Sequence, residues 1–207
     1  PSVRCVTASS VWVSMTEPRL SAAEDGERAA AWLPGCRQIP SPNFDARPPG
    51  SEISLLVVHA ISLPPGEFGS DDVLDLFCNC LDPARHPFFA AIRELRVSAH
   101  FFIRRDGELI QFVPCDARAW HAGVSLWQGR ERCNDFSIGV ELEGCDELPF
   151  EAAQYASLNR LVAMLRERYP SLSAVGHSDI APGRKTDPGP CFDWSRLVGI
   201  DSPHAVA

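Results

Sequence analysis

The run Ile53 to His59, ISLLVVH, constrains the fold more than any other stretch, because it is almost wholly aliphatic and β-branched. A run of that kind makes a strand buried on both faces of a sheet. It ends on His59. A polar ring at the C-terminal end of a buried strand is a common place for a site in sheet-based folds, although capping the strand is an equally ordinary use for it.

Further elements follow along the chain. Asp71 to Phe77 reads as a short helix started by the acceptors of Ser70 to Asp72, and Phe88 to Leu95 as a second helical segment. Val97 to Arg104 and Leu109 to Val113 flank an Asp-Gly pair and predict adjacent antiparallel strands, with His100 inside the first as a structural histidine. Phe136 to Glu143 alternates: Phe136, Ile138, Val140 and Leu142 face a core, while Ser137, Gly139, Glu141 and Glu143 share the other face. Gly139 leaves room there for a ligand, and a carboxylate beside it suits a general base as well as a solvated surface. Glu151 to Arg168 carries Tyr155, Leu158, Leu161, Val162 and Leu165 at helical spacing, an amphipathic helix laid on the sheet. Its start offers no Ser or Thr cap, so a frayed first turn is expected. Alternating strands and helices make this an α/β chain, a mixed sheet flanked by helices.

With 207 residues and 45% of them hydrophobic, one core suffices and nothing forces a second domain. Residues 1–31 show no sustained period and read as a poorly ordered extension; Met15 opens MTEPRL like a natural start, so the residues before it are expected to be extraneous. From Trp32 a proline-rich segment, IPSPNFDARPPG, runs extended or turned over a surface into the first strand, so the domain is set at 32–207. A net charge of -8 with scattered Lys and Arg argues against nucleic acid or anionic membrane as partner. Lacking an apolar run near the length that spans a bilayer, and an export signal, the chain is expected to be a cytoplasmic protein, and a monomer. Eight cysteines show no CxxC pair, so reduced thiols are expected, with Cys78 and Cys80 structural. No cysteine is marked out by its neighbours as a nucleophile.

Gly176 to Pro190, GHSDIAPGRKTDPGP, packs His177, Asp179, Arg184, Lys185 and Asp187 into a loop whose prolines and glycines exclude a continuous helix. His177 and Asp187 reach one cation if the loop folds back, with Lys185 beside them as a fixed positive charge. Adding His59 gives two histidines and one carboxylate, three protein ligands that leave zinc a fourth position for water, with Glu141 the candidate to take that water's proton. Spread over the chain, these residues have no diagnostic spacing. AWHAG, Ala119 to Gly123, either lines a cleft or finishes a core edge.

The segments VVHAISLPPGEFG, LRVSAHFFIRRDG, AWHAGVS, GRERCNDFSIGVELEG and GHSDIAPGRKTDPGP resemble the zinc N-acetylmuramoyl-L-alanine amidases of the peptidoglycan-recognition-protein fold, in the same order from about Trp32 to Trp194. The resemblance implies Zn2+ held by His59, His177 and Asp187, Glu141 as general base, and Lys185 polarising the carbonyl. It implies Arg96, Trp120 and Arg132 as substrate-cleft positions. The implied reaction is hydrolysis of the amide between the lactyl group of 1,6-anhydro-N-acetylmuramic acid and L-alanine of the stem peptide, in cytoplasmic peptidoglycan recycling, with an anhydro-muropeptide as substrate. A wall-degrading amidase and a non-hydrolytic fragment-binding module of the same fold are the rival readings. Ala60 departs from the pattern, in which Asn usually follows the first zinc histidine, and the N-terminal extension has no counterpart.

Overall fold

The structure, a computed structural model, describes residues 31–204. The calls on the N-terminal extension and on Met15 therefore lie outside the described residues, except at Ala31. That residue is fully buried, and its carbonyl accepts from Cys115 N–H and Gln111 Nε2, so packing begins one residue before the expected boundary.

Among the described residues ten strands and four α-helices with settled bounds follow in chain order: β1 Arg37–Gln38, β2 Phe44–Ala46, β3 Leu55–Ile61, α1 Asp72–Phe77, α2 Pro87–Ile92, β4 Phe101–Ile103, β5 Leu109–Gln111, β6 Ala117–Ala119, β7 Leu126–Trp127, β8 Arg130–Glu131, β9 Ser137–Glu143, α3 Ala152–Arg168, β10 Ser173–Gly176 and α4 His177–Ile180. The main sheet has the order β1-β5-β4-β9-β3-β10 and is mixed: β4, β9, β3 and β10 run parallel, and β5 returns antiparallel to β4 through the Asp-Gly turn. Two small ribbons, β2 with β6 and β7 with β8, lie outside it.

Strand β3, paired on both sides by β9 and β10, is covered on both faces, as its composition requires. On one side Leu56 and Val58 join Ile138, Val140, Leu142 and the apolar stripe of α3 in the largest core cluster. On the other, Leu55 and Val57 pack with Val175 and Ile180, while Phe102, Ile110 and Phe112 pack with α1 and α2. Phe136 departs from the expected alternation and joins the cluster of Leu55 and Val57, because it follows a 3-10 turn at Cys133–Asp135 and lies just before β9. The start of α3 is tied, not frayed: Gln154 is wholly buried, its Oε1 accepts from Glu151 N–H at 2.9 Å, and its amide donates to the carbonyls of Glu143 and Ile103.

The proline-rich segment is more than a surface strap. Ser41 and Asn43 are buried against the Phe77 carbonyl at the end of α1, and Arg47 donates to the carbonyls of Asn134, Asp135, Cys115 and Ser137. Six cysteines, Cys36, Cys78, Cys115, Cys133, Cys145 and Cys191, carry free thiols, whereas Cys80 is disulfide-bonded, so the expected reduced set holds for those six.

Candidate metal centre

Strands β3, β9 and β10 are parallel, so residues at their C-terminal ends meet at one edge of the sheet. His59 stands in register with Glu141, and Gly176, the last residue of β10, with Val58, so His177 begins beside His59. Beyond its single turn as α4, the chain doubles back until Ser178 N–H donates to Asp187 O at 2.9 Å. Gly176 permits this close return, since a Cβ there would stand 2.9 Å from Pro188 Cδ. The loop thereby folds back as its His and Asp content suggested.

His59 Nδ1 lies 2.9 Å from His177 Nδ1 and 3.0 Å from Asp187 Oδ2, and His177 Nδ1 is 3.1 Å from the same oxygen. Three acceptor-capable atoms meeting at one point is coordination geometry, because one proton can serve only one pair at a time. Separations of this size let an ion at the usual zinc distances of about 2.0–2.2 Å touch all three. The outer ring nitrogens agree. His177 Nε2 faces the Ala122 carbonyl at 3.1 Å, which only accepts, so Nε2 carries the proton and Nδ1 presents its lone pair. Both histidines are buried, and burial, opposed by the Asp187 hydrogen bond, lowers His59 to about 4, keeping it neutral and able to ligate. Burial raises the Asp187 carboxyl, but hydrogen bonds with His177 and His59 outweigh it and hold it well below the usual carboxylate range.

Glu141 is buried on the same face, and its Oε2 has no partner among the described residues. Burial first, then the Asp187 charge, push its carboxyl well above the usual range, while Lys185 pulls it back. Lys185 is exposed, yet its charge acts on both His59 and Glu141. Glu143, on the same strand face, is spoken for: it accepts from Gly69 N–H and from Arg105 N–H at 3.0 Å.

The residues proposed from sequence for the substrate cleft fare differently. Arg132 is two-thirds exposed, held by Asp135 at 3.3 Å, and lines a cleft of ≈ 540 Å³ with Val124, Leu126, Ile180 and Arg184. Arg184 anchors that cleft to the centre, because its Nη2 donates to Val124 O and to the same Ala122 carbonyl that His177 uses. A second, apolar cleft of ≈ 340 Å³ begins at Ala60 and runs past Leu76, Phe88, Ile92 and Leu95. Arg96 turns back on its own helix end, donating to the carbonyls of Arg93 and Leu95, and Trp120 is half-buried, its backbone N–H donating to Ser98 Oγ. Among the described residues neither has a hydrogen bond, ion pair or ring contact with the His/His/Asp cluster.

The space beside Gly139 is not free for a ligand: the His121 ring fills it, and a Cβ on Gly139 would stand 2.5 Å from His121 Cγ. Sequence reasoning left His121 undecided. It sits in a loop without periodicity, and the glycine in the alternating strand is its one trace. His100 is structural, as expected, accepting from Gly139 N–H at Nδ1 and donating from Nε2 to Ala117 O.

The mixed sheet carries, at the C-terminal ends of its parallel strands, a His/His/Asp group able to hold a metal ion, which makes this an α/β domain with a candidate metal centre, and the family profile described as N-acetylmuramoyl-L-alanine amidase matches residues 49–190. The chain belongs to that family. It is 60% identical over 168 residues to the 1,6-anhydro-N-acetylmuramyl-L-alanine amidase AmpD of Escherichia coli (strain K12), covering 80% of this chain and 92% of that protein. It is 56% identical over 169 residues to AmpD of Haemophilus influenzae, with 80% and 92% covered. Among solved structures it is similar to a crystal structure of a selenomethionine derivative of AmpD, with TM-score 0.80, 58% identity and 81% and 95% coverage. It is also similar to the Escherichia coli amidase AmiD in complex with anhydro-N-acetylmuramic acid-L-Ala-D-γ-Glu-L-Lys, with TM-score 0.55, 31% identity and 75% and 62% coverage. Among the described residues no helix is long and apolar enough to cross a membrane.

Proposed function

We infer that the protein hydrolyses the amide between the lactyl group of 1,6-anhydro-N-acetylmuramic acid and the L-alanine of its stem peptide, with zinc held by His59, His177 and Asp187. The observation that carries this reading is the unpartnered Glu141 Oε2, buried beside a complete set of three ligand atoms. A module that only binds its ligand has no use for a buried carboxyl kept ready for a proton. Zinc, when bound, supplies a Lewis acid for the scissile carbonyl and an acidified water. Glu141 takes the proton of the attacking water and returns it to the leaving alanine nitrogen, a double task suited to a carboxyl whose affinity for protons is raised. Lys185 offsets the negative charge that grows on the carbonyl oxygen. The stem peptide lies in the cleft of Arg132 and Arg184, whose guanidinium groups match its carboxylates; the apolar cleft from Ala60 takes the sugar side. Ala60 offers no amide to the substrate.

Metal analysis together with a cleavage assay tests the reading. One zinc per chain is expected, lost in His59→Ala, His177→Ala and Asp187→Ala, with release of stem peptide from soluble anhydro-muramyl-tripeptide far faster than from insoluble sacculi. Comparable rates on both would point to a wall-degrading amidase, and full zinc occupancy in any of the three variants would discard the ligand set. The compartment we assign is the cytoplasm, where soluble wall fragments are the available substrate. Cell fractionation checks it, and a Cys80 disulfide that persists in the isolated protein would point to an oxidising compartment instead.

A further inference from the structure

We propose that His121 is a positioning residue for the metal centre: it fixes the tautomer and ring orientation of His59 through a relay that ends on Ser137. The proposal rests on the metal reading above. His59 Nε2 lies 2.9 Å from His121 Nδ1, and His121 Nε2 lies 3.2 Å from Ser137 Oγ. If His59 presents the Nδ1 lone pair to a metal, its neutral ring carries hydrogen on Nε2, which then donates to His121 Nδ1. His121 must in turn carry hydrogen on Nε2 and donate to the Ser137 hydroxyl. One protonation pattern satisfies every atom of the chain and leaves the lone pair aimed at the centre.

The surroundings hold His121 in that role. Its ring meets the His59 ring edge-on with centroids 5.0 Å apart, and it stands against the bare backbone of Gly139. Asn134 Oδ1 accepts from His121 N–H at 3.2 Å and from Ala122 N–H at 2.8 Å. Because Ala122 O is also the acceptor for His177 Nε2, the two-residue stretch His121-Ala122 orients both metal histidines, one through a side chain and one through a carbonyl. A partner that orients a metal histidine in this way is worth about 10- to 100-fold in metal affinity.

The test is zinc affinity by chelator competition on the full chain, with the melting temperature of metal-free protein measured beside it. His121→Phe keeps a ring but no acceptor, and its zinc affinity should fall about 10- to 100-fold. His121→Gln, whose carbonyl oxygen accepts from His59 Nε2, should recover most of the loss. Gly139→Ala keeps every side chain of the relay but displaces the imidazole, and should weaken zinc binding to a similar extent. A role in packing alone would lower the metal-free melting temperature in these variants and leave zinc affinity within about threefold of the parent, and that result overturns the proposal. So does a Gln variant as weak as the Phe variant. Should His121→Phe fail to fold, the Gln and Gly139→Ala variants decide by the same measure. A parent chain that binds no zinc refutes the metal reading itself, an outcome distinct from these.

Discussion

Replacing Glu141 by Gln should make the metal-free protein more stable and the loaded enzyme nearly inactive. The carboxyl is buried, its Oε2 is unpartnered, and burial followed by the Asp187 charge raises its proton affinity against the pull of Lys185. A carboxyl raised in the folded state above its unfolded value of about 4.3 contributes its full stability below that value. The contribution is lost as pH rises through the folded value, since ionisation then favours the unfolded chain. At neutral pH the parent therefore carries a penalty that Gln lacks. For burying an ionised carboxylate in place of a neutral amide of the same shape it is about 1–3 kcal/mol, the order of a buried polar group's desolvation penalty. At roughly 2–4 °C per kcal/mol for a chain of this size, Glu141→Gln should melt about 2–12 °C higher at pH 7.5, and the gap should close as pH falls toward 4. Thermal melts of chelator-treated protein from pH 4 to 8 measure this, with a cleavage assay on zinc-loaded samples expected to show about a 10²- to 10⁴-fold loss in rate. An unchanged or lower melting temperature at pH 7.5, or a gain equally large at pH 4, would refute the reasoning.

Lys185→Ala should retain zinc and lose about 10²- to 10³-fold in kcat, which single-turnover kinetics on anhydro-muramyl-tripeptide would measure. Arg132→Ala should raise KM more than it lowers kcat, the pattern of a contact equal in ground and transition states; a fall in kcat at constant KM would remove Arg132 from the peptide cleft. Gln154→Ala removes the side-chain partner of the Glu143 and Ile103 carbonyls and of the Glu151 N–H, and should cost about 1–3 kcal/mol, read as a lower urea midpoint at constant slope.

Local pattern is enough to set the elements and to mark the candidate ligands, whereas which side chains meet depends on the tertiary fold. Continuous aliphatic character marked β3 as an interior strand, Asp-Gly joined β4 to β5, and helical spacing placed α3, because each signal is carried within a few neighbouring residues. His59, Glu141, His177 and Asp187 were legible as chemistry, since a polar group at the end of a buried strand or in a proline-rich loop stands out against its context. Their convergence is a matter of parallel register and of a loop closing on Gly176, neither of which leaves a local trace. The same limit explains the misses. Gly139 read as space for a ligand, and only the fold shows the space filled by His121. Phe136 read as one more step of the strand, but the turn before β9 sends it to the opposite core. Glu151 lacked a recognised cap, and the helix start is held instead by Gln154, whose amide reaches carbonyls of two strands that sequence alone could not bring alongside. Short-range patterns are fixed by covalent neighbours; long-range contacts exist only once the sheet has chosen its order.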